Sequence, residues 1–239
     1  LVDSHVFPRS FYDYSRRVAK MDKADYMEMK SNTEGVFTQK VWIGWYDNDL
    51  VCADCEKLFL PFDTYASELL LQNETRHQKM FHDKKLIGWS VDEFDFAKLK
   101  LFILSILWRS GASNKTQFRG IELGKWIDVI KKCISENSIK GAESISFIIA
   151  RFPDDIGRSF LLNPHKEKKG GLFSDLNAYR FYLGAGYILY IKVDSRPILG
   201  QFSEIPVAEG MPLRILCRQD MLESAESMVM KKIVLATQK

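Results

Sequence analysis

LKLFILSILW, residues 99–108, restricts what this chain can become more than any other stretch. A membrane-spanning helix needs roughly 20 apolar residues, and this run has half that length with Lys100 inside it. It must therefore be enclosed by protein. With its flanks it becomes VDEFDFAKLKLFILSILWRS, residues 91–110, which predicts a buried helix. A chain of 239 residues, with 46% hydrophobic and 13% aromatic side chains, is long and apolar enough to cover such a helix. No contact with a membrane is expected.

The segments around it divide the chain by character. Before residue 138 most signals are helical. Pro8 suits the first turn of a helix over 8–20, and residues 21–34 read as a polar loop. GVFTQKVWIGW (35–45) reads as a strand or hairpin arm, followed by turn residues at 47–49. A helix starts near Cys55 and is kinked or divided at Pro61, and LGKWIDVIKKCISEN (123–137) is another. After NSIKGAE the pattern changes. Residues 143–152, 158–163, 178–193 and 212–217 read as strands, and a final helix is predicted over 219–232. The expectation is an α+β fold with an N-terminal part (1–138) and a β-rich C-terminal part (139–239).

Charge excludes little. Thirty-four basic and 31 acidic residues give a formal net charge of +3, so nucleic-acid binding would need local clustering of cations. Four cysteines, with Cys133 and Cys217 isolated, do not make a secreted disulfide framework, and a cytoplasmic setting is expected.

Cys52 and Cys55 are the one closely spaced pair, in LVCADCEKLF. The spacing suits half of a zinc knuckle, a redox pair, or two small residues of a core. A redox pair wants a βαβ setting, which the flanking strand and Pro61 do not supply. A structural zinc site wants four ligands, so two more are needed. His77 and His82 follow at an H-x4-H spacing, but on a helix five residues turn their side chains about 140° apart. Two surface histidines in a polar loop is the plainer reading of them.

The order LVDSHVFP (1–8), a strand, a turn, then CADCE (52–56) resembles the HNH family, the treble-clef or ββα-metal nucleases. It is similar within that family to uncharacterised bacterial proteins with a DSH…CxxCE pattern. KLKLFILSILWRSGAS adds to the likeness, which covers roughly the first half of the chain. The resemblance implies an N-terminal treble-clef element and a metal-dependent endonuclease, acting in bacterial defence on foreign DNA. Cys52 and Cys55 would be two ligands of a structural zinc, with a further cysteine pair preceding Leu1. His5 would be the general base, Asn48 the asparagine that orients it, and Glu56 a ligand, with His5, of a catalytic magnesium or manganese. Ser4 stands where an acid is usual, and Glu56 where a histidine is usual. These departures leave room for a non-catalytic zinc-binding module that binds nucleic acid or a protein partner.

Other candidates have structural readings. Arg9, Arg16 and Lys20 fall on one side of the predicted first helix, beside Arg17 and Lys57, and would meet phosphates or form a solvated face. Phe11, Tyr12 and Tyr14 would stack on bases or pack in a core. Arg109 complements the end of the apolar helix. Gly184 and Gly186 mark a tight turn or bulge, because strand and not helix follows them.

Overall fold

The computed structural model describes residues 1–21, 27–29, 39–41, 44–159, 161–168, 173, 175–224 and 226. In chain order they form β1 (Ser4–His5), α1 (Arg9–Val18), β2 (Met27–Met29), β3 (Gln39–Val41), β4 (Tyr46–Asp47), α2 (Ala53–Lys57), α3 (Leu60–Ser67), β5 (Gln78–His82) and β6 (Lys85–Val91). Then come α4 (Phe96–Ala112), α5 (Trp126–Ser135), β7 (Ser146–Arg151), α6 (Asp155–Ser159), β8 (His165–Lys166), β9 (Ala178–Gly184), β10 (Tyr187–Lys192) and β11 (Leu213–Cys217). The fold is α+β. Seven strands join in one sheet in the order β5-β6-β11-β7-β10-β9-β8, antiparallel except for the parallel pair β11 and β7. The sheet takes β5 and β6 from before residue 138 and five strands from after it.

Helix α4 is the covered helix that its sequence demands. Leu99 to Leu107 are buried without a break, Lys100 among them. Desolvation lowers the pKa of Lys100, and its ammonium lies 5.7 Å from the centre of the Phe96 ring. The Asp95 carboxylate accepts from Lys98 N at 2.9 Å and caps the helix start. No helix among the described residues is long and apolar enough to cross a membrane.

Alternation explains why the central strands are apolar throughout. Phe147, Ile149, Phe181, Leu183, Leu189 and Ile191 join the core shared with the helices. Their neighbours Ile148, Ala150, Tyr182, Ile188 and Tyr190 build a second cluster on the opposite face. Period-2 strands buried on both faces lose the polar half of their pattern.

Several expectations change. The loop predicted over 21–34 contains β2, which pairs with β3; residues 35–38 and 42–43 of the expected strand lie outside the described residues. Among the described residues of 158–163 no strand forms: α6 occupies their start, and Asp154 caps it by accepting from Gly157 N at 2.8 Å. The apolar helix starts at Phe96, because Val91 ends β6. His77 and His82 are not a pair of loop residues. His77 is buried against the Leu69 carbonyl at 2.9 Å, whereas His82 is exposed at the end of β5. Of the final helix, residues 219–224 and 226 are described, with a 3-10 turn at Met221–Glu223, and the rest lies outside.

Candidate active site

The chain's opening enters the fold as a strand. Ser4 faces Asp47 and His5 faces Tyr46 in the antiparallel pair β1 and β4. Val2 N donates to Val51 O and Val6 N to Trp45 O, which extends the pairing on both sides. Gly44 has φ +93° and sits against Tyr12 of α1, where a Cβ would come within 2.0 Å of the ring. Only glycine permits that approach. Tyr12 Oη then accepts from Trp45 N at 3.2 Å, tying β4 to α1.

Helix α2 follows directly, with Cys52 just before its first residue and Cys55 inside it. Both cysteines are exposed and reduced. The nearby Cys55 amide and thiol, with the Asp54 amide, hold the Cys52 thiol below its usual pKa, and the Cys55 thiol is pushed up by Cys52. The two thiols sit three residues apart on the first turn of α2, the spacing of half a zinc knuckle. They are two donors of four. Among the described residues, no three His, Cys, Asp or Glu side chains gather as a metal cage.

Adjacent residues of α2 serve different surfaces. Cys55 lines an apolar cavity of about 130 Å³ with Val51, Phe59 and Trp108. Glu56 lines an open cleft of about 330 Å³ together with His5, Arg9, Ser10, Asp63 and Thr64. Ser4 Oγ, fully buried, donates to Glu56 Oε2 at 2.5 Å. Strand alternation puts His5 on the other side from Ser4, half-buried, with its ring 6.3 Å from that of Tyr46.

Beneath the cleft lies a charge pair that the sequence does not announce. Arg109 is fully buried and forms a two-pronged bridge to Asp63 at 2.9 and 2.7 Å. It also donates to the His5 carbonyl at 2.7 Å, the Ser105 carbonyl at 3.3 Å and Ser105 Oγ at 3.1 Å. All five N–H groups have acceptors, the condition under which a buried guanidinium is tolerated. Its plane covers the Phe59 ring at 4.7 Å. Burial pushes the Asp63 carboxyl up, opposed by Arg109 and then by His5. Both Asp63 oxygens are taken by Arg109, so Glu56 is the carboxylate of this cleft suited to a hard cation.

The structure therefore brings His5 and Glu56 to one cleft, and Cys52 and Cys55 to the helix that carries Glu56. It does not bring Asn48 there. Asn48 is exposed on the turn after β4, and the buried residue is Asp47, which accepts from Ser113 Oγ at 2.6 Å and Asp49 N at 3.0 Å. Arg9, Arg16 and Lys20 do not form one cationic face, because Arg16 is buried. Phe11 and Tyr12 are core residues, and Tyr14 donates to Glu74. Sequence reasoning missed Asp63 and gave Arg109 only a helix-end role. A signal existed: Asp63 follows Glu56 by seven residues, close to two helical turns. Comparison with family models, with characterised proteins and with solved structures finds no match to this chain.

Proposed function

We propose that this chain is a metal-dependent nucleic-acid endonuclease of HNH type, acting on DNA in the cytoplasm. What carries the reading is the meeting of two motifs 52 residues apart: Ser4 Oγ bonds Glu56, and His5 and Glu56 line one cleft. A phosphodiester is hydrolysed when a water oxygen attacks phosphorus and the bond to the departing ester oxygen breaks. His5 takes the proton of the attacking water. Its backbone is fixed for that task by Arg109, itself anchored on Asp63. Arg9, at the mouth with a side chain 61% exposed, offers charge to a phosphate. Glu56 would hold a magnesium or manganese ion, since an imidazole whose lone pair binds a metal cannot also take a proton; when bound the ion supplies charge stabilisation to the phosphoryl and departing oxygens. Cys52 and Cys55 would hold a structural zinc and so lock α2 against β1.

Incubation of the full chain with DNA and RNA in magnesium or manganese, beside His5→Ala, tests this. Cleavage of DNA by the parent, with at least a 100-fold loss in the variant, is expected. Equal residual cleavage by both proteins overturns it. The exposed Asn48 and the Ser4 hydroxyl held on Glu56 favour one second reading, a zinc-binding module that binds nucleic acid or a protein partner without cutting. Salt-dependent binding with no turnover would select that one.

A further inference from the structure

The hairpin β5–β6 ends in a tip with no counterpart in the proposed cleavage chemistry. β11 pairs with β6 only from Gly88 to Val91, so Lys85, Leu86 and Ile87 have β5 alone beside them. β5 is the sheet's outer strand. The tip, residues 81–87, is thus a two-stranded ribbon that continues past β11, with Lys79, opposite Trp89, at its root on the outer edge. Root and tip together, residues 79–87, carry Lys79, Lys84 and Lys85 against one acid, Asp83, with His82 between them, and all five are exposed. Three lysines less one aspartate give +2 in nine residues, when the whole chain carries +3. Phe81 and Ile87 are 61% and 47% exposed on the same ribbon. The turn is costly as built: Lys84 has φ +63°, a conformation suited to glycine or asparagine.

We infer that this ribbon is a docking element for duplex DNA, a reading that rests on the nucleic-acid substrate proposed above. The major groove of B-form DNA admits a two-stranded β-ribbon, whereas that of an RNA duplex is too deep and narrow. Lys79, Lys84 and Lys85 meet phosphates along the groove, and Phe81 and Ile87 offer apolar contact to thymine methyl groups. A lysine in place of the glycine that the turn prefers then has a purpose, since it sets a cation at the outermost point. Lysines on an outer strand also guard against edge-to-edge pairing, and that is the rival explanation.

The test uses the full chain and a labelled mixed-sequence DNA duplex, titrated by fluorescence anisotropy at several salt concentrations without divalent cations. Compared are the parent, the triple variant Lys79→Ala/Lys84→Ala/Lys85→Ala, Lys84→Gly, and Lys132→Ala as an exposed lysine of α5. Loss of three phosphate contacts should flatten the slope of log affinity against log salt by about 2.7, and Lys84→Gly by about 0.9. Lys84→Gly should at the same time raise the melting temperature, which separates lost binding from lost folding. Lys132→Ala should match the parent. Unchanged affinity in the triple variant overturns the inference, and new self-association beside that unchanged affinity assigns the lysines to edge protection. No binding by the parent, or equal losses on an RNA duplex of the same sequence, also overturns it. Because no metal is present and only binding is read, this experiment can fail while the cleavage assay succeeds, and the reverse.

Discussion

Two hairpins of one sheet share a backbone and little else. β9–β10 turns through Ala185 and Gly186 at φ +52° and +79°, and one extra residue, Leu183, interrupts the register. β5–β6 turns through Asp83 and Lys84 at φ +46° and +63°, and one extra residue, Ile87, does the same. Both are two-residue turns with a bulge beside them, before the turn in β9 and after it in β6. In the first, Leu183 is fully buried, and α1 clasps the turn: Ser15 Oγ accepts from Ala185 N at 2.7 Å. In the second, Ile87 is 47% exposed and the tip projects past β11. Local chain geometry fixes the form of a hairpin, and what packs on it fixes which residues it accepts. The enclosed hairpin is built from apolar and small residues, whereas the projecting one is free to carry lysines.

The strongest way to break this contrast is Gly184→Val. Gly184 has φ +92°, and a Cβ there would come 2.9 Å from the Phe11 carbonyl oxygen. Left-handed strain on a branched residue and overpacking each cost about 1–3 kcal/mol, so a loss of about 4 kcal/mol is expected in denaturant unfolding. A loss below about 1 kcal/mol would show that α1 does not clasp the turn.

The same contrast decides what was legible in the sequence. AYRFYLGAGYILYIKV reads as strand because burial on both faces makes it apolar throughout, and its glycines mark the turn. KMFHDKKLIGW hides a hairpin, because its turn has no glycine and its bulge spoils the alternation. His5, Cys52, Cys55 and Glu56 were legible because short contiguous motifs carry them. Asp63 and Arg109 were not, since their bond spans 46 residues and an arginine near a helix end already has a local use. Asn48 rests on the family resemblance alone, and strand pairing of β4 turns its neighbour Asp47 inward instead.

A smaller effect comes from the histidine that flanks each hairpin. His77 precedes β5, and His165, in β8, lies 6.0 Å from the Tyr182 ring of β9. Burial lowers the pKa of both below the ordinary 6.5. The unfolded chain therefore binds more protons between the lowered values and 6.5, and stability falls as pH drops through that window. Asp63, raised by burial, acts with the opposite sign from 3.8 upward. Single variants thus isolate the imidazoles better than the whole profile does. His77→Gln and His165→Gln should each make unfolding midpoints less sensitive between pH 7 and 5, and slopes identical to the parent's would refute burial as the cause.

The smallest expected effect is the sharpest comparison. Leu183 and Ile87 are each the extra residue of a bulge beside a two-residue turn, Leu183 two residues before it and Ile87 three residues after. Leu183→Ala removes fully buried methyl groups and should cost about 2–5 kcal/mol. Ile87→Ala removes a side chain that is half in water and should change stability by no more than about 0.5 kcal/mol. Measured by the same denaturant titration, a large loss at Ile87 would mean that the tip packs on the body of the protein and does not project. A near-zero loss in stability, joined to weaker binding of duplex DNA, would place the purpose of that isoleucine outside the folded chain.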